Sequence, residues 1–547
     1  MRNPAGTPDP AAVLTPPDPA RQAPDLSRLL LYAGAAFAVL VALLPLVSVL
    51  VTGLQAGTGQ PGPAAADLWR YAGNTAALAV GVAALSGGIG AVSAWLVVMY
   101  RFPGREILTW ALALPLTLPA FAMAYGYADF LDVAGPIQSA FRNSLGLETR
   151  FSVRNLPGAI LILSLAFYPY VYLTLRAAFL SQSVCALEAA RTLGCSPWAV
   201  FARVALPLAR PALAAGAALA VMETLADYGA VSFLSVQTLT TGVVRAWSVY
   251  GSAAQAAQLS LGLLLAAALL LWIERAQRQG QSFSGGSVRW RSLQTLPLGP
   301  VGQGLALLFC LGVLTLALII PIVWLGVLAL SSSPEWPRLT GAFGTTAMLG
   351  LAGAMLTLAL AALIAFGARR LPWIARLISL GYATPGAVMA IGLLAPAGWI
   401  WQGFSGAVSG LGIGLGLMLL AYSARLMAAA LEPLEAGLTR ITPSMTRAAR
   451  TLGETETGTT RRVELPLIRG AVLTALLLAL IDVIKELPAT LILRPFGVET
   501  LATLADRFAA DERLAQAAWP SLLIIALSLV PVLVLSRQIT RSRPGAS

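Results

Sequence analysis

The chain of 547 residues is 57% hydrophobic and only 11% charged, whereas soluble domains carry about 25% charged residues. The composition therefore excludes an array of soluble domains and predicts an integral membrane protein. The formal net charge is +12, which we interpret as arginine-rich cytoplasmic loops facing membrane lipid rather than as a surface for nucleic acid.

Missing residue types exclude several chemistries. The chain has no histidine, so it has neither a Ser-His-Asp triad nor an H-E-x-x-H zinc site. The sole lysine, Lys485, follows Ile484, which excludes a Gly-Lys-Ser/Thr loop for ATP. Three cysteines without CxxC spacing read as small hydrophobic residues. We therefore expect no enzyme activity, no catalytic residues, no covalently bound cofactor and no firmly assigned metal site.

Along the chain, apolar runs predict twelve membrane spans. Residues 1–28 are proline-rich and predict a disordered cytoplasmic tail. Because a span needs about 20 apolar residues, the rest divides into two halves of six spans each. The predicted halves are 29–275 and 301–537, with a polar cytoplasmic linker at 276–300 and a second cytoplasmic tail at 538–547.

The arginines predict the orientation. If the N-terminus is cytoplasmic, 24 arginines fall in inner segments and nine in outer segments. Cytoplasmic loops are enriched in Lys and Arg. We therefore predict that both termini are cytoplasmic and that residues 128–156 lie outside.

The two halves share a sequence repeat. Residues 189–194 and 448–453 both read A-A-R-T-L-G, and L-P-L follows at the same distance in each half. Upstream, P-x-x-x-M-A-x-G occurs at 119–126 and at 385–392. An even number of spans per half requires both copies to enter the membrane from the same side. The predicted fold is therefore all-α, with two parallel-repeated six-helix halves.

The repeated loops at 181–210 and 435–469 suit short helices, and Gly194 is placed to cap the first of them. Residues 188–207 resemble the EAA loop of ABC-transporter permeases; 447–466 fit except that Arg447 replaces the glutamate. The resemblance implies a fold like that of type I ABC importers, in which these loops dock onto two copies of an ATPase subunit that binds ATP. The implied coupling residues are Glu188, Ala189, Ala190, Gly194, Leu206, Pro207, Arg447, Ala448, Ala449, Gly453, Leu465 and Pro466.

Residues 223–229, 236–242, 482–495 and 500–503 resemble the ferric-iron branch of these permeases. That resemblance implies transport of Fe³⁺ across a bacterial inner membrane and delivery by a periplasmic iron-binding protein. Thiamine permeases belong to the same broad subfamily and supply the main alternative substrate. A proton-coupled secondary transporter is a more remote alternative, because parallel repeats also occur in secondary carriers.

Charges within the fifth and eleventh spans are costly in a membrane and predict a shared site. Glu223 and Asp227 are four residues apart, as are Asp482 and Glu486. We expect each pair to share one helix face and line a central path for a hard cation. A structural role is the alternative: Lys485 would pair with Asp482, and the carboxylates would cap helices. The candidate path residues are Glu223, Asp227, Tyr228, Asp482, Lys485 and Glu486.

Overall fold

The computed structural model describes residues 26–57, 65–145, 151–181, 190, 192–278, 295–369, 371–404 and 410–541. Within them, nine helices are long and apolar enough to cross a membrane, and twelve spans result when each of three sharply bent helix pairs counts as one. The predicted fold class, an all-α membrane protein, is confirmed.

The first half contains spans 1 to 6 in chain order. Their helices are Leu26–Gln55, Ala65–Met99, the pair Arg105–Thr117 and Ala120–Phe130, Leu156–Ser181, the pair Pro197–Leu208 and Arg210–Ala226, and Ala253–Arg278. Shorter helices lie between them at Pro136–Leu145, Gly229–Phe233 and Leu239–Ser248.

The second half contains spans 7 to 12. Their helices are Pro300–Leu330, Trp336–Gly367, the pair Pro372–Ala383 and Gly386–Phe404, Gly410–Leu438, Thr460–Ile484 and Leu514–Arg541. Shorter helices are Pro443–Thr451, Glu456–Thr459, Pro488–Leu493 and Leu501–Ala510. Two short parallel strands, Tyr100–Arg101 and Leu296–Pro297, pair the end of span 2 with the segment before span 7.

Helices extend beyond several predicted boundaries. Span 1 begins at Leu26, span 6 runs to Arg278 and span 12 runs to Arg541. Each therefore enters a segment predicted as tail or linker. Residues 1–25, 279–294 and 542–547, which hold most of those segments, lie outside the described residues.

Spans 3 and 9 are bent rather than straight. Their two helices meet at 93° in span 3 and at 105° in span 9. Pro119 and Pro385 stand at the bends, and the residues before them, Leu118 and Thr384, have extended backbones. Proline disfavours the helical conformation of the preceding residue. The repeated P-x-x-x-M-A-x-G motif therefore begins where each span turns.

The glycine of that motif meets the first span of the opposite half. A Cβ on Gly392, in span 9, would lie 2.1 Å from the Pro45 carbonyl oxygen of span 1. A Cβ on Gly126, in span 3, would lie 3.6 Å from the Pro321 carbonyl oxygen of span 7. Small residues let helix backbones approach closely in membranes. The first span of each half thus packs on the other half.

We expect Gly392→Ala to lower the amount of folded protein in the membrane far more than Gly126→Ala. The added methyl group overlaps the backbone of Pro45 in one case and makes an ordinary contact with Pro321 in the other. Overpacking costs about 1–3 kcal/mol. Membrane abundance and thermal unfolding in detergent measure the difference, and equal losses would contradict this close approach.

Glu499 joins span 8 to the segment between spans 11 and 12. It accepts two hydrogen bonds from Arg338, both at 2.7 Å, and one from Arg507 at 2.8 Å. The hydrogen bonds from Arg338 lower the pKa of the Glu499 carboxyl from 4.5 to about 2. A lowered folded-state pKa stabilises the fold above the unfolded value, and that stability is lost as the pH falls through the folded value.

Between pH 4.5 and pH 2, the wild type should therefore lose thermal stability more steeply than Glu499→Gln. The variant has no carboxylate to protonate at this position, so it lacks the stabilising contribution of the Glu499 ion pairs at every pH. Melting temperatures of both proteins across this range test the expectation. Parallel pH profiles would show that the Glu499 ion pairs contribute nothing.

Candidate functional site

The repeated A-A-R-T-L-G segments end in the same backbone turn. Gly194 has φ +82° and Gly453 has φ +88°, values in the left-handed region that favours glycine. After each glycine a backbone N–H donates to a carbonyl five residues back, as in a Schellman helix terminus. These bonds are Cys195 N to Ala190 O (3.1 Å) and Glu454 N to Ala449 O (3.2 Å). The predicted cap at Gly194 is confirmed.

Each turn exposes one leucine. Leu193 is 84% exposed and Leu452 is 85% exposed, although the alanines three residues before them, Ala190 and Ala449, are buried. Glu188 and Ala189 lie outside the described residues.

The rest of each loop leads into a span. Leu206-Pro207 and Leu465-Pro466 directly follow the π-helical turns Phe201–Ala205 and Thr460–Glu464. A proline in such a continuing helix cannot donate the usual backbone hydrogen bond. Arg447, which replaces the motif glutamate, is exposed like its neighbour Ala448. Its Nε donates to the Pro443 carbonyl at 3.2 Å, so this side chain is engaged within its own helix.

A cavity of about 70 Å³ lies where the two halves meet. It has room for a few water molecules. The structure brings together all the residues predicted for the path. The cavity lining includes Glu223, Asp227, Tyr228, Asp482, Lys485 and Glu486, and also Tyr170 and Arg425.

The predicted arrangement of each pair on one helix face is wrong. Span 5 ends at Ala226 and span 11 ends at Ile484, so the second carboxylate of each pair follows the helix end. Asp227 has an extended backbone (φ −71°, ψ 127°). The pairs still share one cavity because both spans break at the same level of the repeat. Broken spans are typical of transport sites.

Asp227 and Glu486 cap the short helices that follow the breaks. Asp227 Oδ1 accepts the backbone N–H of Ala230 at 2.9 Å. Glu486 Oε1 accepts the backbone N–H of Ala489 at 3.3 Å. The structural alternative predicted that the carboxylates cap helices. This prediction is confirmed for Asp227 and Glu486.

Lys485 pairs with Asp482, as that alternative predicts. The ammonium nitrogen lies 2.9 Å from Asp482 Oδ1, and the side chains are 20% and 16% exposed. Removing one partner of a buried ion pair leaves an uncompensated charge. This pair belongs entirely to the second half.

The counter-charge nearest to the first-half carboxylate Glu223 comes from the second half. Arg425 of span 10 lies 3.7 Å from Glu223 Oε2 and forms an ion pair with Glu486. The Tyr382 hydroxyl of span 9 donates to Glu223 Oε1 at 3.5 Å. The sequence did carry a signal for Arg425, since it ends a long charge-free run and charges in spans are expensive. Its partner could not be assigned from spacing because it is in the other half.

A family model described as "Binding-protein-dependent transport system inner membrane component" matches residues 86–278 and again residues 356–545. The chain belongs to this family. The double match confirms the repeat and the resemblance to ABC permeases. The chain is therefore a multi-pass permease component of an importer and carries two family domains.

Several members of this family are similar to the chain. An Fe(3+)-transport system permease, FbpB 2 of Haemophilus influenzae, is 27% identical over 85% of this chain and 89% of its own length. The molybdenum transport permease ModB of Escherichia coli is 31% identical over 34% of this chain and 84% of its own. A probable sulfate transport permease, cysT of Chlorokybus atmophyticus, is 31% identical over 30% and 59%.

Proposed function

We propose that the chain forms the translocation path for ferric iron in a binding-protein-dependent ABC importer. Similarity to a relative named for Fe(3+) transport extends over both halves. The similarity to the molybdenum and sulfate permeases covers about one third of the chain. The longer match to the relative named for Fe(3+) transport favours iron as the substrate. Because that relative is only 27% identical, the charges that line the cavity are the stronger argument.

The observation that carries the proposal is the charge of the cavity. Four carboxylates and two basic side chains line it, so its formal charge is negative. Carboxylate oxygens suit hard cations, and a negative lining repels sulfate and molybdate. Described residues include no group of three or more His, Cys, Asp or Glu able to hold a metal.

The partners belong to the same proposal. The exposed turns at Gly194 and Gly453 would each dock one copy of a cytoplasmic ABC ATPase, which binds and hydrolyses ATP. A periplasmic binding protein would deliver Fe³⁺ on the opposite side. The chain itself would contribute no catalytic residue. A convex apolar tip such as Leu193 or Leu452 fits a groove in a partner.

The proposed substrate is tested by measuring which ligands are bound by the periplasmic binding protein of this transporter. Purified, it should bind ferric ion and should bind thiamine, sulfate and molybdate at least a hundredfold more weakly. Isothermal titration with each ligand measures this. Preferential binding of thiamine or of an oxyanion would overturn the proposal for iron and leave the importer assignment intact.

The proposed orientation is tested by cysteine labelling, after the three native cysteines have been replaced by alanine. An impermeant maleimide added to the periplasm should label Ser144→Cys, in the 128–156 segment. Ser444→Cys, in the helix Pro443–Thr451 that precedes the turn at Gly453, should be labelled only after the membrane is permeabilised. Both serines are exposed, so accessibility depends on the side of the membrane. The reverse labelling pattern would contradict cytoplasmic termini.

A further inference from the structure

Arg425 bridges carboxylates from the two halves. Its guanidinium contacts Glu223 of the first half at 3.7 Å and pairs with Glu486 of the second half. Arg425 is 8% exposed and lines the cavity. Arg425 thus links one carboxylate of each half.

The guanidinium is not fully satisfied. Among the described residues, the buried Nε of Arg425 has no hydrogen-bond partner. A buried donor without a partner costs free energy. The guanidinium is therefore held in place chiefly by Glu223 and Glu486.

The charges of the cavity divide unevenly between its two cations. Lys485 neutralises Asp482 within the second half. Arg425 is in contact with Glu223 and Glu486, so its departure would leave both carboxylates open to a cation in the cavity.

We propose that Arg425 is a resident counter-ion that occupies the carboxylates when the path holds no cargo and is displaced by the trivalent cargo cation. Displacement breaks the Arg425–Glu223 contact and frees the two halves from each other at this point. A cation of low charge competes poorly with a guanidinium held by two carboxylates, so Arg425 favours highly charged cargo. This inference rests on the proposed function, because it assumes that the cargo is a hard cation.

The test is a titration of the full-length chain in lipid nanodiscs with Tb³⁺, a hard trivalent cation whose luminescence reports binding. Arg425→Gln should bind Tb³⁺ at least tenfold more tightly than the wild type, because the competing charge is gone. Lys485→Gln is the matched control, since it changes the cavity by the same formal charge. It should tighten binding by less than threefold, because Arg425 still occupies Glu223 and Glu486.

Equal tightening in the two variants would show that net charge alone matters and would overturn the proposal, as would unchanged affinity in Arg425→Gln. Arg425→Lys keeps a cation but is too short to hold both carboxylates. Arg425→Lys should bind Tb³⁺ with an affinity between those of the wild type and Arg425→Gln. It replaces Arg425→Gln in the comparison if that variant does not accumulate.

Iron uptake by the wild-type transporter is measured separately. Absent uptake refutes the proposed function, whereas normal uptake with unchanged Tb³⁺ affinities refutes only the role of Arg425.

Discussion

Replacing both Gly194 and Gly453 by Val should abolish coupling between ATP hydrolysis and transport while the chain stays folded in the membrane. Both glycines have left-handed φ values, which cost an L-residue about 1–2 kcal/mol and a β-branched residue more. Nothing lies within 4 Å of the Cβ position at either site. The effect would therefore come from the backbone, which must reshape both turns and move the exposed leucines.

Substrate uptake by the double variant should fall at least tenfold, with membrane abundance unchanged. Asparagine adopts the left-handed conformation more readily than other non-glycine residues, so Gly194→Asn with Gly453→Asn is the matched control and should retain most transport. The two single Val variants should differ in severity, because Arg447 makes the second loop depart from the motif. Normal uptake by the double Val variant would show that these turns do not transmit ATPase motion.

The sequence predicted the repeat, the turns and the cavity lining because each depends on local or repeated patterns. A-A-R-T-L-G suits a capped helix in either half, and the repeat places the matched carboxylates at corresponding positions of the two halves. The helix breaks after Ala226 and Ile484 were missed because four-residue spacing does not reveal where a helix ends. The contacts of Arg425 with Glu223 and of Gly392 with Pro45 were missed because they join distant segments of different halves.

Replacing Asp482 by Asn should deplete the folded protein, and adding Lys485→Met should restore it. The ammonium group of Lys485 lies 2.9 Å from Asp482 in a largely buried position. Breaking one side of such a pair costs about 3–5 kcal/mol, whereas apolar replacement of the pair is often neutral. Membrane abundance of the single and double variants measures this. Equal abundance of the wild type and Asp482→Asn would contradict a structural ion pair.

Uptake by the double variant then separates the two roles of Asp482. Abundance and uptake that are both restored would reject a path role for Asp482. Restored abundance without uptake would support such a role. We expect abundance to return and uptake to return in large part, because Glu223, Asp227 and Glu486 remain in the cavity lining. Glu223→Gln, which loses a carboxylate beside Arg425, should reduce uptake more strongly than the Asp482 double variant.

The most direct test of the central claim is transport by proteoliposomes that contain this chain, its ATPase and its binding protein. With ATP available to the ATPase, labelled ferric iron should accumulate, and removal of ATP should stop accumulation even when a proton gradient is present. Labelled thiamine, sulfate and molybdate should not accumulate. Iron accumulation driven by the proton gradient alone, or ATP-driven accumulation of one of the other solutes in place of iron, would contradict the claim.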